Sequence, residues 1–404
     1  MHTTNKILIN FFAFFALVIV FTGCNASADE SRSNKGNTSQ IYTNSDSYNN
    51  NDIQFSKIQN EISNSRRNAI TNTVAKCSPA IVGINITEVQ EVRYNSHFDE
   101  MFSLLFGKRQ QEVKGLGSGF IISSDGYILT NHHVAGNATK VVVTLTNGEK
   151  YDAQIIGADM VSDVCLLKIS TNKKLPYLKF ANSNDVIVGE WAIAFGNPFG
   201  LFNINSKPSI TVGVVSNKDI NFFQNNGRAG YSVYKNMLQT DAAISSGNSG
   251  GPLINSLGEV IGMNTVIFST ATSRSGAGSI GIGFAIPINR VKSIVDMLKD
   301  GKKIERNANT GIEINEITPE ISRYFKFDKD SGVYVERIYR SSPAEKAGIE
   351  PGDIILKING AEINHSDDFF IAIADAFVGD KLAFEILRGS KTSKHTIKVE
   401  KNKY

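Results

Sequence analysis

A serine lies among glycines near the end of residues 241–252, which read DAAISSGNSGGP. Ser249 on such a tight loop can present its hydroxyl while neighbouring backbone N–H groups converge on one point. Convergent N–H donors stabilise the oxyanion of an acyl-transfer intermediate, and each contributes ~10²–10³ in rate. A glycine-rich hairpin with an incidental serine is the alternative, because this composition is common in turns. Ser249 is therefore a candidate nucleophile that needs a positioned base.

The candidate bases for this serine are few, because most of the six histidines lie in the predicted export signal, in a loop or far downstream. His132 and His133 remain, and they directly follow the strand-like run 127–131 (YILTN). Adjacent residues of a strand point to opposite faces, so only one of the two can face Ser249. The spacing leaves the choice between them open.

A third group, a carboxylate, would hold the imidazole in one tautomer and orientation. Asp163 directly precedes the apolar run 164–169 (VCLLKI), which predicts a rigidly held backbone. In the type case of such an arrangement, the loss of the carboxylate costs ~10⁴ in turnover. Asp152 and Asp159 compete for this role, and spacing does not exclude Asp159.

The composition narrows the classes of protein that could carry these groups. The 404 residues include 42 basic and 39 acidic side chains, a near balance that disfavours a nucleic-acid binder. Three cysteines, and six histidines without a His-x-x-x-His pair, argue against a metalloenzyme. Residues 115–119 (GLGSG) lack the lysine of a phosphate-binding loop, so we expect neither nucleotide nor other cofactor. Thirty-four glycines favour a β-rich fold with many turns.

The elements that must position these groups are mostly short strands. Between residues 79 and 287, apolar runs alternate with turns rich in Gly, Asn and Asp. The runs are 80–86, 119–122, 127–130, 141–145, 164–169, 191–195, 210–215 and 259–268. Strands at this spacing without intervening helices predict antiparallel barrels or sandwiches. From 289 to 301 the apolar residues recur at i, i+3, i+4 and i+7, which predicts a helix.

The first residues have the character of an export signal. Lys6 precedes the apolar run 11–21, which is shorter than the ~20 residues of a membrane-spanning helix. Residues 21–24 (FTGC) resemble the bacterial lipoprotein signal, which implies lipidation of Cys24 and a signal at 1–24; an uncleaved anchor is the alternative. Residues 25–68 begin with a stretch rich in Asn and Ser that predicts a disordered tether. We expect a protein held at a membrane of the cell envelope.

Several motifs together resemble the HtrA (Deg) family of serine proteases. They occur in order as 115–122 (GLGSGFII), 127–131 (YILTN), 194–201 (AFGNPFGL), 239–243 (QTDAA), 247–253 (GNSGGPL) and 281–287 (GIGFAIP). The resemblance implies a mostly β fold, with a chymotrypsin-like double β-barrel at residues 69–301. It also implies His133 as base, Asp163 as its orienting acid and Ser249 as nucleophile, because the family places its histidine directly before valine.

The same resemblance implies further parts of the site. The N–H groups of Gly247 and Ser249 would form the oxyanion hole, and Ile286 would line an S1 pocket for small or medium apolar side chains. Residues 217–234 and 269–279 would correspond to loops that are mobile in relatives. The family usually forms trimers, so we expect a homotrimer.

One rival enzyme class can be tested on the sequence. Residues 247–251 also satisfy the G-x-S-x-G elbow of α/β-hydrolases. That fold requires a helix directly after the serine and the chain order Ser, acid, His. Pro252 and a strand-like run follow here, and the downstream histidines lie beyond residue 310. The esterase hypothesis therefore fails.

The C-terminal ninety residues predict a peptide-binding domain. After a polar linker at 302–310, residues 342–353 (SPAEKAGIEPGD) resemble the signature of an α+β PDZ domain at 311–400. PDZ domains add a peptide as a strand and hold its terminal carboxylate with backbone N–H groups. The residues implied for this loop are Thr310, Gly311 and Ile312. Peptides with apolar C-termini are the implied ligands.

The sequence thus predicts an ATP-independent serine endopeptidase of the periplasm or cell envelope that acts on unfolded or damaged proteins. A chaperone or peptide-sensing scaffold with latent proteolysis is one alternative, and a signalling protease with a single substrate is another. The serine, histidine and aspartate that the chemistry requires are all present, which argues against an inactive enzyme.

Cys165 in an apolar run predicts a buried free thiol, while a disulfide with Cys77 is the alternative.

Overall fold

A computed structural model describes residues 60–91, 110–200, 202–225, 231–265, 281–300, 304–306, 308–325 and 332–401, all within one compact unit. The predicted signal with Cys24, most of the tether and the segment 269–279 lie outside the described residues. The helices are α1 Ala69–Cys77, α2 His132–Ala135, α3 Phe202–Asn205, α4 Ile288–Lys299, α5 Pro319–Phe325, α6 Pro343–Lys346 and α7 Ser366–Ala374. Short 3₁₀ helices occupy Ser78–Ala80, Ser183–Asp185 and Pro198–Gly200.

The strands of the first half are β1 Ile81–Glu91, β2 Gln110–Ile121, β3 Tyr127–Thr130, β4 Lys140–Thr144, β5 Lys150–Asp159, β6 Val164–Ile169, β7 Lys179–Phe180, β8 Trp191–Gly196, β9 Ser209–Asn225 and β10 Tyr231–Thr240. Those of the second half are β11 Pro252–Ile254, β12 Glu259–Thr265, β13 Gly283–Pro287, β14 Ala308–Asn309, β15 Ile312–Glu316, β16 Val333–Ile338, β17 Ile354–Ile358, β18 Ala361–Glu362, β19 Lys381–Arg388, β20 Lys391–Lys398 and β21 Glu400–Lys401.

The first six strands close an antiparallel barrel in the order β1-β2-β3-β6-β5-β4. Their apolar runs supply side chains to its core, where Ile84, Phe120, Leu129 and Leu166 are fully buried. The β2–β3 hairpin turns at Gly126 with φ +99°, a conformation that favours glycine. The predicted barrel of short strands is confirmed in this half.

A second barrel follows, in the order β11-β8-β9-β10-β13-β12, and the pairing of β11 with β12 closes it. The short strand β7 joins β12 in parallel at its outside. The prediction of a loop at 217–234 was wrong for most of that segment, because β9 and β10 continue through it as a long hairpin. Phe222 packs on Tyr234 across this hairpin with ring centroids 4.8 Å apart, and such cross-strand aromatic pairs stabilise extended ribbons.

Helix α4 packs on strands of both barrels, as the predicted apolar spacing requires. Its buried residues include Val291, Ile294, Val295 and Leu298, the i, i+3, i+4 and i+7 positions of the sequence pattern. Leu298 lies so close to Gly157 on β5 that a Cβ there would be 2.7 Å from the leucine Cδ2. The helix therefore covers the bulged part of β5 that leads to the turn containing Asp163.

The C-terminal part forms a separate apolar core beneath a sheet in the order β15-β16-β17-β19-β20, with β18 paired to β17. Strand β15 is at an edge of this sheet. The signature segment 342–353 begins with the short helix α6, where Ser342 Oγ accepts the N–H of Glu345. This combination of sheet and helices is the α+β fold expected for a PDZ domain.

Cys77 and Cys165 are both buried free thiols, so the predicted free thiol is confirmed and the disulfide alternative is wrong. Burial raises the pKa of the Cys165 thiol to about 12, which makes it unreactive at neutral pH. In the part of the chain that the structure describes, each helix is too short or too polar to cross a membrane.

Candidate active site

The predicted acid and base are in direct contact. His133 lies in α2, directly after β3, and Asp163 ends the turn between β5 and β6. Asp163 Oδ2 is 2.9 Å from His133 Nδ1, and Asp163 Oδ1 accepts the backbone N–H of His133 at 3.0 Å. Asp163 adopts φ +57°, and the side chain of Asn131 donates to its carbonyl at 3.0 Å. The turn thus directs the carboxylate at the imidazole and holds it there.

The two side chains differ in their exposure to solvent. The Asp163 side chain is 3% exposed, whereas 46% of the His133 side chain is exposed. Burial lowers the pKa of His133, but the charge of Asp163 and its hydrogen bond outweigh this effect, and the pKa is raised above its ordinary value. With Nδ1 held by the carboxylate, the second ring nitrogen is available for proton transfer.

The other candidates for the base and the acid, His132, Asp152 and Asp159, lie in other environments. His132 packs across Gly136, where a Cβ would be 2.3 Å from the imidazole Cδ2, and burial lowers the pKa of His132. Asp159 forms a buried ion pair with Arg306. Asp152 is exposed on β5 and makes no hydrogen bond to His133. Of the candidates that the residue pattern left open, only Asp163 and His133 are in contact.

Ser249 lies on the loop between β10 and β11, at an open cavity of about 380 Å³. His133, Ser246, Gly247 and Ser249 form one side of this cavity. The other side is formed by residues of β1, β2 and α2, namely Ile86, Glu88, Val113, Gly115, Leu116 and Val134. The cavity therefore brings the predicted nucleophile and base to one space that is large enough for part of a peptide chain.

The loop before Ser249 has a backbone conformation that leaves two N–H groups unpaired among the described residues. Gly247 adopts φ +94°, and a Cβ there would be 2.5 Å from the carbonyl oxygen of Asn197, so the position needs glycine. Neither the N–H of Gly247 nor that of Ser249 donates a hydrogen bond to any residue that the structure describes. Both groups are therefore free to bind an oxyanion in the cavity.

Thr265 is a site residue that the sequence analysis missed. Its Oγ1 donates to Asp163 Oδ2 at 3.1 Å, although Thr265 ends β12 in the second barrel and Asp163 belongs to the first. A buried threonine at the end of a strand is ordinary in sequence, so nothing in the local pattern indicates this role. Asn131 offered a signal, because it lies in the YILTN motif directly before the histidine pair.

The predicted pocket residue Ile286 lies outside the cavity that contains Ser249. It is 1% exposed in β13, lies in the core and pairs in register with Met263. It does not line the cavity that contains Ser249. All five residues of β13 are buried, so this side chain packs inward, away from the cavity. Its role in substrate selection stays a prediction.

The predicted carboxylate-binding residues lie together at the edge of the C-terminal sheet. The carbonyl of buried Thr310 accepts the N–H of Ala344 at 3.0 Å. Gly311 adopts φ +76°, and its N–H donates to Asn309 Oδ1 at 2.9 Å. Ile312 begins the edge strand β15. A peptide carboxylate would have to compete with the Asn309 side chain for the N–H of Gly311.

The described residues contain no group of His, Cys, Asp and Glu side chains arranged to hold a metal ion.

The chain matches two family profiles: "Trypsin-like peptidase domain" over residues 117–263 and "PDZ domain" over residues 304–399. Among curated proteins, it is 40% identical over 313 residues to a probable periplasmic serine endoprotease DegP-like of Chlamydia trachomatis, covering 75% of this chain and 59% of the relative. A protein of the same description from Rickettsia prowazekii is 36% identical over 84% of this chain and 67% of the relative. The chain thus spans about three-fifths of the length of the first of these relatives.

Solved structures show the same similarity. An HtrA-type protease AlgW with decapeptide is 30% identical, has a TM-score of 0.61, and is matched over 83% of this chain and 99% of its own. A serine endoprotease from Yersinia pestis is 29% identical, with a TM-score of 0.54, over 83% of this chain and 98% of its own. These matches run through both barrels and the C-terminal sheet.

Proposed function

This chain belongs to the HtrA-type family of serine proteases, and on that premise we propose that it is an ATP-independent serine endopeptidase. Ser249 is the nucleophile, His133 the general base, and Asp163 the carboxylate that orients the imidazole. The observation that supports this most is the 2.9 Å contact between Asp163 Oδ2 and His133 Nδ1, because His133 also lines the cavity that contains Ser249.

The proposed reaction follows from this arrangement. His133 removes the hydroxyl proton as the oxygen of Ser249 attacks the scissile carbonyl carbon. The N–H groups of Gly247 and Ser249 stabilise the oxyanion that forms. His133 then gives the proton to the leaving amine, and a water molecule activated by the same imidazole releases the acyl group from Ser249.

Unfolded or damaged proteins are the proposed substrates. The cavity is open, and Ile86, Val113 and Leu116 present apolar side chains beside the reacting groups. An extended chain can enter such a space, whereas a folded protein hides the apolar side chains that would contact it. The relatives named periplasmic endoproteases support a location in the periplasm.

A fuller organisation of the chain is also proposed. Residues 1–24 form a lipoprotein signal ending at Cys24, 25–68 a tether, 69–301 the protease domain, 302–310 a linker, and 311–400 the PDZ domain.

Lipidated Cys24 would hold the protein at a membrane, and three copies would assemble. Cys24→Ser should move the protein from the membrane fraction to the soluble fraction. Light scattering on the purified protein measures the number of subunits, and a monomer would contradict the trimer.

Cleavage of a denatured generic protein, compared with its native form, tests the proposed activity. Ser249→Ala should lower cleavage by ~10⁶ and leave binding of the denatured protein intact. Ser183→Ala removes a buried hydroxyl outside this cavity and should retain activity. A fluorophosphonate should label the wild type but not the Ser249→Ala protein. Undiminished cleavage by Ser249→Ala would end the assignment.

A peptide-sensing role is the second candidate. Helix α7 of the PDZ domain packs on the β9–β10 hairpin, where the rings of Phe370 and Phe223 are 5.7 Å apart. A peptide bound beside α7 would therefore act on an element of the second barrel. We propose regulation by peptides with apolar C-termini, and the solved relative that binds a decapeptide is consistent with this. Turnover should change when such a peptide is added, and unchanged turnover would contradict the regulation.

A further inference from the structure

Ser118 on β2 links three segments of the chain through its hydroxyl. The residue is fully buried. The backbone N–H of Asn197, which follows β8, donates to Ser118 Oγ at 2.7 Å. Ser118 Oγ donates in turn to the carbonyl oxygen of Gly247 at 2.5 Å. The direction of both bonds is settled by chemistry, because a backbone N–H can only donate and a carbonyl oxygen can only accept.

The backbone of Ser118 also contacts the nucleophile loop. Its N–H donates to the carbonyl oxygen of Ser249 at 3.0 Å. The same residue of the first barrel thus binds the carbonyl groups of Gly247 and Ser249, the two cavity-lining residues whose N–H groups have no partner among the described residues. The barrel sheets fix the position of Ser118, so it offers the loop a rigid support.

The peptide unit between Gly247 and Asn248 is held at both ends. Its carbonyl oxygen accepts from Ser118 Oγ and, at 3.2 Å, from the N–H of Asn197. Its N–H, that of Asn248, donates to the carbonyl oxygen of Ser245 at 2.9 Å. A glycine with φ +94° has several accessible conformations, so these bonds select one of them. In that conformation the N–H groups of Gly247 and Ser249 are left without partners among the described residues.

We propose that Ser118 is a positioning residue for the oxyanion hole. This inference rests on the proposed protease function, and it concerns a residue that touches neither the substrate nor the reacting atoms. Its hydroxyl holds the Gly247 carbonyl away from the cavity, which keeps the N–H groups of Gly247 and Ser249 directed at the developing oxyanion. Without it, the Gly247–Asn248 peptide can rotate and displace the two adjoining peptides, which carry the N–H groups of Gly247 and Ser249, so that these donors lose their alignment.

The test is steady-state kinetics of the full chain on a peptide substrate, with Ser118→Ala and Ser118→Cys. Loss of one oxyanion donor costs ~10²–10³ in kcat, and misalignment should cost part of that, about 10–100-fold for Ser118→Ala. KM should stay within about twofold, because the hole binds the transition state more strongly than the substrate. Ser118→Cys keeps the shape and supplies a weak S–H donor, so its kcat should fall between the wild type and Ser118→Ala.

A matched control separates positioning from loss of stability. Ser183→Ala removes another buried serine hydroxyl, one that accepts the N–H of Asn289 at 3.2 Å and has no bond to the nucleophile loop. Its kcat should equal that of the wild type. The Kd of a peptide boronate, which forms a tetrahedral adduct with Ser249, should rise in Ser118→Ala by the same factor as kcat falls.

Two results would overturn the inference while leaving the protease assignment in place. One is a wild-type kcat and boronate affinity in Ser118→Ala. The other is an equal loss of kcat in Ser118→Ala and Ser183→Ala, which would indicate a general effect of removing a buried hydroxyl. If Ser118→Ala does not fold, Ser118→Cys decides the question, and a wild-type kcat in that variant overturns the inference. An inactive wild type that no fluorophosphonate labels would instead contradict the proposed function.

Discussion

Arg306 Nη2 lies 2.8 Å from Asp159 Oδ2, and the two side chains are 8% and 2% exposed. The same guanidinium approaches Asp375 Oδ1 at 3.1 Å and lies over the ring of Phe377 at 4.0 Å from its centroid. Asp159 ends β5 in the first barrel, whereas Asp375 directly follows α7 in the PDZ domain. A single buried arginine therefore joins the C-terminal sheet domain to the barrel that carries Asp163.

Loss of this arginine should destabilise the protein strongly. Arg306→Met leaves the buried carboxylate of Asp159 without its charge partner, and breaking such a pair costs about 3–5 kcal/mol of unfolding free energy. Adding Asp159→Asn should recover part of that loss, because the uncompensated charge is removed. Urea denaturation followed by circular dichroism measures both effects.

The control for this measurement is an exposed ion pair. Lys292 and Asp296 lie 2.9 Å apart on α4, with both side chains about 60% exposed. Lys292→Met should hardly change the unfolding midpoint, because solvent screens such pairs. An equally small change in Arg306→Met would show that the buried pair contributes nothing to stability.

The contacts of Asp375 should make stability depend on acid pH. Burial raises the pKa of this carboxyl, but the hydrogen bond and charge of Arg290 and the charges of Arg306 and Lys235 outweigh it, and the pKa is lowered. Because the pKa is lower in the native state, the ionised carboxyl stabilises the fold fully at pH values above the pKa of the unfolded state, about 3.9. This stabilisation is lost as the pH falls through the pKa of the native state.

Urea denaturation at a series of pH values from about 6 down to about 3 tests this expectation. The wild type should lose unfolding free energy at the acid end of this range. Asp375→Asn should be less stable at neutral pH and should lose less on acidification, because its amide does not titrate. Asp296→Asn, at an exposed position, should follow the wild-type curve. Parallel curves for wild type and Asp375→Asn would contradict the role of this carboxyl.

The pH profile of the reaction should report the contact between Asp163 and His133. The imidazole must be neutral to accept the serine proton, and its pKa is raised by the charge of Asp163 despite the opposing effect of burial. The rate of labelling by a fluorophosphonate should therefore fall as the pH drops through a value above 6.5.

Asp163→Asn should move this decline in the labelling rate, the acid limb of the pH profile, to lower pH, because the negative charge that favours the imidazolium is gone. The labelling rate at neutral pH should fall by ~10⁴, since the amide no longer holds the correct tautomer. His132→Gln should leave the limb where it is. An unshifted limb in Asp163→Asn would contradict the proposed role of the carboxylate.

Thr265→Val should weaken catalysis, although Thr265 lies in the second barrel and Asp163 in the first. The substitution removes the hydroxyl that donates to Asp163 Oδ2 at 3.1 Å and nearly preserves the side-chain shape. A hydrogen bond to a charged group contributes about 1.5–3 kcal/mol, so kcat/KM should fall roughly 10–100-fold. Thr139→Val, which removes an exposed hydroxyl bonded to the carbonyl of Thr87, should have no effect. Equal kinetics in the two variants would contradict the importance of the Thr265 contact.

The strands and helix α4 could be read from the sequence because their signals are local. Short apolar runs bounded by turn residues mark many strands of the barrels, and apolar residues at i, i+3, i+4 and i+7 mark α4, so a window of about ten residues suffices for these elements. The glycines around Ser249 are an equally local signal, because the loop that contains Ser249 itself needs them. The resemblance to a protease family added the choice of His133 over His132 and of Asp163 over Asp159.

The folded chain was required for everything that depends on contacts between distant residues. Thr265 reaches Asp163 across 102 positions, Ser118 reaches Gly247 across 129, and Arg306, in what the sequence presents as a polar linker, reaches Asp159 across 147. A hydrogen bond needs atoms within about 3 Å, and no local periodicity encodes which distant residue arrives there. The sequence therefore supplied the elements and the reactive groups, whereas the closing of two barrels and a C-terminal domain selected their partners.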